Sequence, residues 1–232
     1  MDGAVYGGAG GRRLLRRTMA KLGLIAALLG LVFFLSAGTL RYWQAWVFLA
    51  VLLVPMTAVT SYLVKNDPQL LERRLQMREK ERPQKLLVKL ASIFFIACWI
   101  LPGFDRRWGW SSVPPALVFL ADAFFLGAYL FFFWVIKTNS YASRTVEVVP
   151  GQEVVTTGPY AMVRHPMYLA ILVMYAATPL ALGSFWALLA YIPVPLTLAL
   201  RVRNEEAVMI RELAGYAEYR NRVRFKILPR VW

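Results

Sequence analysis

Six apolar segments, most of them separated by segments that carry basic residues, limit the folds that this sequence can adopt. Hydrophobic residues make up 59% of the 232 residues and charged residues only 17%, which is more apolar than a soluble core of this size needs. The first four segments approach the roughly 20 residues that a helix needs to cross a bilayer. We therefore predict an all-α integral membrane protein with about six transmembrane helices and a cytoplasmic C-terminal helical segment. The apolar segments cover residues 22–40, 44–64, 86–102, 114–136, 167–182 and 185–200.

The last two apolar segments are short and are joined by Gly183 and Ser184, which predicts a tight helical hairpin. Pro179, Pro193 and Pro195 should bend this hairpin. A hairpin returns the chain to the side of the membrane that it left, so the segments before and after it can meet.

The distribution of lysine and arginine predicts the orientation in the membrane. With an even number of crossings, both termini share one side, and all but three of the 27 Lys and Arg residues fall there. The exceptions are Arg41, Arg106 and Arg107. The positive-inside rule then predicts that both termini are cytoplasmic. A basic membrane face also accounts for the net charge of +14, so we expect contact with membrane lipids and no nucleic-acid partner.

The chain divides into three regions: a flexible, glycine-rich and then basic tail, the N-terminal transmembrane helices, and a C-terminal region with the hairpin, in which the candidate site residues described below lie. These cover residues 1–21, 22–136 and 137–232.

Two further features of the N-terminal half have structural interpretations. The loop 65–85 carries Leu70, Leu71, Leu75 and Met77 among its charges, which predicts an amphipathic helix on the inner membrane surface. Asp122 is the sole acid well inside a predicted span. Acids in membrane spans are functional candidates, but its position near the far end of the helix favours a structural role.

The only histidine in the chain lies in a proline-stiffened stretch, residues 158–168, at the start of the fifth apolar segment. Tyr160, Arg164, His165 and Tyr168 place a cation, an imidazole and two phenols within nine residues. The simplest interpretation is a helix start, with proline in its first turn and the arginine reaching lipid phosphates. A functional site is favoured by the polar groups on either side.

The loop that leads into this stretch from Thr138 includes Arg144, Thr145, Gln152, Val154 and Val155. Residues 146–149 and 153–157 have β-like composition around a Pro-Gly turn, which predicts a small hairpin or lid over a pocket.

A second polar cluster, residues 201–206, follows the last apolar segment. Arg201 and Glu205 are four residues apart and share a helix face. Alone, they would be interpreted as a weak salt bridge at a helix exit. The predicted hairpin brings this cluster to the same side as the His165 stretch, which favours a site.

The available side chains limit the chemistry of such a site. The single cysteine, Cys98, lies in an apolar segment, and no carboxylate cluster is suited to a metal, so we predict no metal site and no nucleophilic triad. Methyl transfer from a sulfonium donor to a carboxylate needs mainly positioning and exclusion of water. Arginine can hold the carboxylate bidentately, and glutamate can meet the positive groups of the donor.

The C-terminal region resembles the isoprenylcysteine carboxyl methyltransferase family, within the wider group that includes phospholipid methyltransferases. The family pattern is Gly-x-Tyr-x-x-x-Arg-His-Pro-x-Tyr, a helical hairpin, Arg-x-x-x-Glu-Glu, Tyr-x-x-Tyr and a terminal proline. The resemblance covers residues 138–230, with Ala170 where the family usually has glycine. The matching residues are Gly158, Tyr160, Arg164, His165, Pro166, Tyr168, Arg201, Glu205, Glu206, Tyr216, Tyr219 and Pro229.

This resemblance implies a membrane enzyme that uses S-adenosyl-L-methionine to methylate an isoprenylcysteine-like or other lipophilic acceptor, which enters laterally between helices. Arg201 would hold the acceptor carboxylate with Arg164 nearby, and Glu205 completes the predicted catalytic set. The residues expected to bind the cofactor are Gln152, Val154, Val155, Tyr160, His165, Pro166, Tyr168, Glu205 and Glu206.

Two alternatives stay open. The NADPH-dependent sterol and steroid reductases share a similar Arg-His-Pro stretch, but they usually add a Lys-Tyr-Gly-x-x-Trp ending that is missing here. A non-catalytic lipid-binding membrane subunit is the other alternative.

Overall fold

The computed structural model describes residues 9–75, 82–141, 148 and 151–232. Every regular element within these residues is helical, which confirms the predicted all-α class for this part of the chain. A 3-10 turn at Gly158–Ala161 precedes α6. The α-helices are α1 (Ala9–Ala37), α2 (Trp43–Asn66), α3 (Pro68–Leu75), α4 (Arg82–Trp108), α5 (Pro115–Thr138), α6 (Pro166–Ala181), α7 (Leu188–Tyr191), α8 (Val194–Glu212) and α9 (Tyr216–Arg222).

Three helices in the described part of the chain are long and apolar enough to cross a membrane. They lie at Arg13–Ala37, Trp43–Asn66 and Pro115–Thr138. The helix at Pro166–Ala181 is also apolar but shorter. These helices are those of an integral membrane protein, whereas the predicted count of about six crossings stays a prediction.

The second arm of the predicted hairpin differs from expectation. Residues 185–200 do not form one continuous helix. The chain forms the one-turn helix α7, and α8 then starts after Pro193. Proline has no backbone N–H and fits the start of a helix better than its interior. The helix α8 then continues to Glu212, so the same helix carries apolar residues and the charged cluster 201–206.

The predicted amphipathic helix at 65–85 is confirmed over Pro68–Leu75; residues 76–81 lie outside the described part of the chain. Asp67 lies between α2 and α3. Its carboxylate accepts a hydrogen bond of 2.9 Å from the backbone N–H of Leu70, which stabilises the start of α3. Leu70 and Leu71 are buried. They pack against Leu63 and Ile136, the ends of α2 and α5, so α3 lies across the end of the bundle at which the candidate site is found.

Close helix contacts depend on small residues. A Cβ on Gly103 of α4 would lie 1.7 Å from the Ser36 hydroxyl of α1, so no other residue fits there without moving a helix. The small residues Ala128, Ala170 and Ala177 are buried on the two paired helices α5 and α6. Such residues allow helices to approach closely.

The end of the bundle opposite the site is fixed by a buried acid. Asp105 is fully buried and accepts hydrogen bonds from the Ser111 backbone N–H at 2.7 Å and from the hydroxyls of Ser111 and Ser184. These bonds tie α4 to the turn after α6. Asp122, the intramembrane acid, is buried, and its carboxylate makes no hydrogen bond to the described residues.

Candidate functional site

The candidate site lies where the end of α5, the start of α6, the second half of α8 and α9 meet. The chain approaches it through Gly158, which has a φ of +57° in the left-handed region that favours glycine. A Cβ at that position would lie 3.3 Å from Thr138, so glycine also allows the close approach. The following 3-10 turn then buries Pro159 and Tyr160.

The entrance to α6 is paired with the C-terminal segment. The backbone N–H of Arg164 donates to the carbonyl of Phe225 at 2.9 Å, and that of His165 donates to the carbonyl of Lys226 at 2.8 Å. Pro166 then begins α6. The backbone that carries the histidine is therefore fixed by residues about 60 positions later in the chain.

The side chain of Arg164 is held in place by the protein itself. Its Nε donates to Glu206 Oε1 at 2.6 Å, and its Nη1 donates to the carbonyls of Val223 at 2.7 Å and Arg224 at 2.9 Å. Only 6% of the residue is exposed. The simplest sequence interpretation, in which Arg164 reaches lipid phosphates, is therefore wrong.

Glu206 is the centre of this network. His165 Nε2 lies 3.4 Å from its Oε1, and Lys226 Nζ lies 3.5 Å from its Oε2. Burial alone would raise the pKa of Glu206, but His165 and Arg164 outweigh this effect and lower the pKa to about 2. Glu206 is therefore ionised at neutral pH.

A second network crosses from α6 to α8 through Tyr168. The Tyr168 hydroxyl donates to Glu205 Oε2 at 2.6 Å and accepts a hydrogen bond of 2.9 Å from Arg201 Nε. The predicted helix face shared by Arg201 and Glu205 is confirmed, since both lie on α8 and both contact the same phenol.

Tyr160 lies on the side of the candidate site that α5 and the 3-10 turn form. Asn139 Nδ2 donates to its hydroxyl at 3.1 Å, and the Tyr219 hydroxyl donates to its carbonyl at 2.8 Å. Burial raises the pKa of Tyr160 to about 12, with the Asn139 bond opposing the shift. The tyrosine stays protonated and structurally fixed.

These networks surround one pocket. It contains about 780 Å³ of space including its open mouth. Its lining is Asn139, Tyr141, Gln152, Glu153, Val154, Val155, Tyr160, Arg164, His165, Pro166, Met167, Tyr168, Glu205, Met209, Leu213, Tyr216 and Tyr219.

Two polar atoms at this pocket are buried without a hydrogen-bond partner among the described residues. They are the hydroxyl of Tyr216 and His165 Nε2, which lies 3.4 Å from Glu206 Oε1 without the geometry of a hydrogen bond. Buried polar groups in folded proteins are almost always paired, so unpaired ones on a pocket wall are suited to bind a ligand.

The structure brings most of the predicted site residues together. All of them line the pocket except Glu206, which lies behind its wall, and Arg201, which contacts the lining residue Tyr168. For the predicted lid, residues 153–157 have no regular structure, and 142–147 and 149–150 lie outside the described part.

Sequence reasoning missed several lining residues. Met209 and Leu213 follow Glu205 at intervals of four, so the helical period could have placed them on the same face. Asn139 and Tyr141 follow α5 without such a pattern, and only the folded chain brings them to the pocket.

Residues 119–211 match the sequence model of the isoprenylcysteine carboxyl methyltransferase (ICMT) family. The match confirms the resemblance over this range, which runs from α5 to the second half of α8. No curated protein matches the chain. The family match and the apolar helices together indicate a membrane methyltransferase.

Replacing Glu206 by glutamine should destabilise the protein by about 3–5 kcal/mol at neutral pH, because Arg164 would keep its buried charge and lose its ionised partner. Because the pKa of Glu206 is lowered, the stabilisation that its ionised carboxylate provides is fully present above the ordinary pKa of 4.5 and is lost as the pH falls toward about 2. The stability difference between wild type and Glu206→Gln should narrow over that interval. Denaturation of both proteins in detergent at several pH values measures this difference in the free energy of unfolding.

Glu212→Gln is the matched control. Glu212 lies on the same helix but is exposed, and its ion pair with Arg211 is exposed as well, so the control should leave stability unchanged. Equal losses in the two variants, or a loss for Glu206→Gln that does not vary with pH, would contradict the assignment of Glu206 as the buried anionic centre.

Proposed function

We propose that this protein uses S-adenosyl-L-methionine to methylate the carboxylate of a lipophilic acceptor, such as an isoprenylcysteine-like compound. The main support is the position of the pocket: most of its lining belongs to the range that matches the ICMT family. Members of that family are in general S-adenosylmethionine-dependent. The match favours methyl transfer over the NADPH-dependent reduction considered above.

The residues of the pocket fit such a cofactor. Its amino group and sulfonium are positive, and Glu205 provides a carboxylate in the lining while Glu206 adds a negative charge behind it. His165 Nε2, which makes no hydrogen bond to the described residues, and the aromatic walls suit the polar and ring groups of a nucleoside. We assign cofactor contact to His165 and Glu205, with Tyr160 and Tyr168 as walls.

When bound, the cofactor supplies a methyl group that is already activated. A carboxylate acceptor is ionised at neutral pH and needs no general base, so the protein's part is to orient the acceptor and exclude water. We assign the orientation of the carboxylate to Arg201, which its bond to Tyr168 fixes beside the pocket. Arg164, held by Glu206 and two carbonyls, is assigned a positioning role.

An apolar groove beside the pocket is suited to the acceptor's tail. It lies on α5 and α6, and its space is about 840 Å³ including the open side. Leu169 directly follows the pocket residue Tyr168, and Phe131 packs against the buried cluster that includes the pocket residues Tyr160 and Tyr216, so the groove lies next to the pocket. Its lining is Leu120, Ala123, Phe124, Gly127, Ala128, Phe131, Leu169, Ala170 and Val173.

The groove is suited to the tail of a lipophilic acceptor that enters from the bilayer. Residues 120–131 of α5 extend about 16 Å at 1.5 Å per residue, enough for a long aliphatic chain. We infer that the tail lies in the groove while the carboxylate reaches the pocket at the cytoplasmic face, with both termini on that side.

The acceptor group can be tested with labelled cofactor and three probes that share one prenyl tail: a cysteine carboxylate, its carboxamide and a primary amine. We expect transfer to the carboxylate only. Arg201→Lys should reduce this turnover by about 10- to 100-fold, because lysine cannot form the paired hydrogen bonds of arginine. Cofactor affinity should stay within about twofold.

Arg203→Lys, an exposed position two residues further along α8, serves as the control and should behave like the wild type. Equal transfer to carboxylate and carboxamide, or transfer only to the amine, would refute the carboxylate proposal. A loss shared equally by both arginine variants would refute the role of Arg201.

The groove can be tested by filling it. A Cβ at Gly127 meets no atom within 4 Å, so Gly127→Leu should project into the groove without disturbing the core. If it displaces two methylene groups of the tail, at ~0.8 kcal/mol each, the KM for a long-tailed acceptor should rise roughly 10- to 15-fold. The KM for a short-tailed carboxylate should not change.

Gly23→Leu is the matched control, because Gly23 in α1 is equally open and lies outside the groove. An unchanged KM for the long-tailed acceptor in Gly127→Leu, or the same rise in both variants, would show that the tail binds elsewhere.

A further inference from the structure

Tyr216 and Tyr219 on α9 are alike in burial but differ in hydrogen bonding. They are 5% and 2% exposed, and their ring centroids are 5.7 Å apart. The Tyr219 hydroxyl donates to the carbonyl of Tyr160 at 2.8 Å. The Tyr216 hydroxyl is buried and has no partner among the described residues.

The chain therefore leaves one of two neighbouring phenols unpaired at the pocket. Tyr216 and His165 both line the pocket, but His165 Nε2 lies 3.4 Å from Glu206, whereas the Tyr216 hydroxyl has no partner among the described residues. A buried hydroxyl without a partner is disfavoured relative to phenylalanine of the same shape. A ligand bound in the pocket can supply the partner that this hydroxyl lacks.

The surroundings of Tyr216 define the kind of bond that it can make. Burial, followed by the negative charges of Glu206 and Glu205, raises the pKa of Tyr216 well above its ordinary value. The phenol stays protonated, so it can donate a hydrogen bond. An acceptor atom on the ligand is the required partner.

We propose that Tyr216 is a further cofactor-binding residue, whose hydroxyl donates a hydrogen bond to the cofactor in the pocket that His165 also lines. This inference rests on the proposed function. The hydroxyl recognises an acceptor atom and needs no positive sulfonium, so it serves S-adenosylmethionine and S-adenosylhomocysteine, which differ by the methyl group, equally well.

The test compares Tyr216→Phe with Tyr219→Phe in the full chain, purified in detergent. Titration calorimetry with S-adenosylmethionine and S-adenosylhomocysteine measures the Kd, and thermal unfolding without ligand measures stability. For Tyr216→Phe we expect the Kd of both ligands to rise about tenfold, with no decrease in the ligand-free Tm. For Tyr219→Phe we expect a ligand-free Tm that is lower by at least about 2 °C, since the Tyr160 carbonyl loses its donor.

Three results would separate the possible failures. Wild-type protein that binds neither ligand would contradict the proposed function itself. Wild-type affinity retained in Tyr216→Phe would contradict only this inference. A ligand-free Tm that falls in Tyr216→Phe as far as in Tyr219→Phe would show that the hydroxyl is paired within the protein, for example through a buried water, and would also overturn it.

Discussion

The buried ion pair between Arg164 and Glu206 joins the three segments that build the site. Arg164 precedes α6, Glu206 lies in α8, and the same guanidinium holds two carbonyls of the C-terminal segment. Buried ion pairs contribute little net stability relative to apolar residues, but losing one partner is costly. Here the pair holds the start of α6 against α8. The residues next to it in sequence, His165 and Glu205, both line the pocket.

Tyrosines complete this arrangement, and each one has a different hydrogen-bonding role. Tyr168 connects α6 to Glu205 and Arg201, Tyr160 connects the 3-10 turn to Asn139, and Tyr219 fixes α9 to that turn. The hydroxyls of these three tyrosines are thus satisfied within the protein, whereas that of Tyr216 has no partner among the described residues. The pocket opens there beside a groove that is almost wholly apolar, a combination that suits a polar cofactor and a lipophilic acceptor.

The sequence was most informative where a physical constraint acts locally. Apolar segments predicted the helices, Pro166 predicted the start of α6, and the spacing of Arg201 and Glu205 predicted their shared face. It was least informative where tertiary contacts decide. The pairing of Arg164 with C-terminal carbonyls and the hydrogen bonds of Asp105 at the far end depend on contacts between segments distant in sequence. The unpaired hydroxyl of Tyr216 is visible only when its neighbours are in place, since nothing in the sequence distinguishes it from Tyr219.

Calorimetric titration of purified protein with S-adenosylmethionine and with NADPH tests most directly whether the pocket between α6, α8 and α9 binds the proposed cofactor. We expect saturable binding of S-adenosylmethionine, none of NADPH, and weaker binding in His165→Ala and Glu205→Gln variants that remain folded. Binding of NADPH instead, or an affinity for S-adenosylmethionine that neither substitution changes, would show that the pocket does not bind this cofactor as proposed.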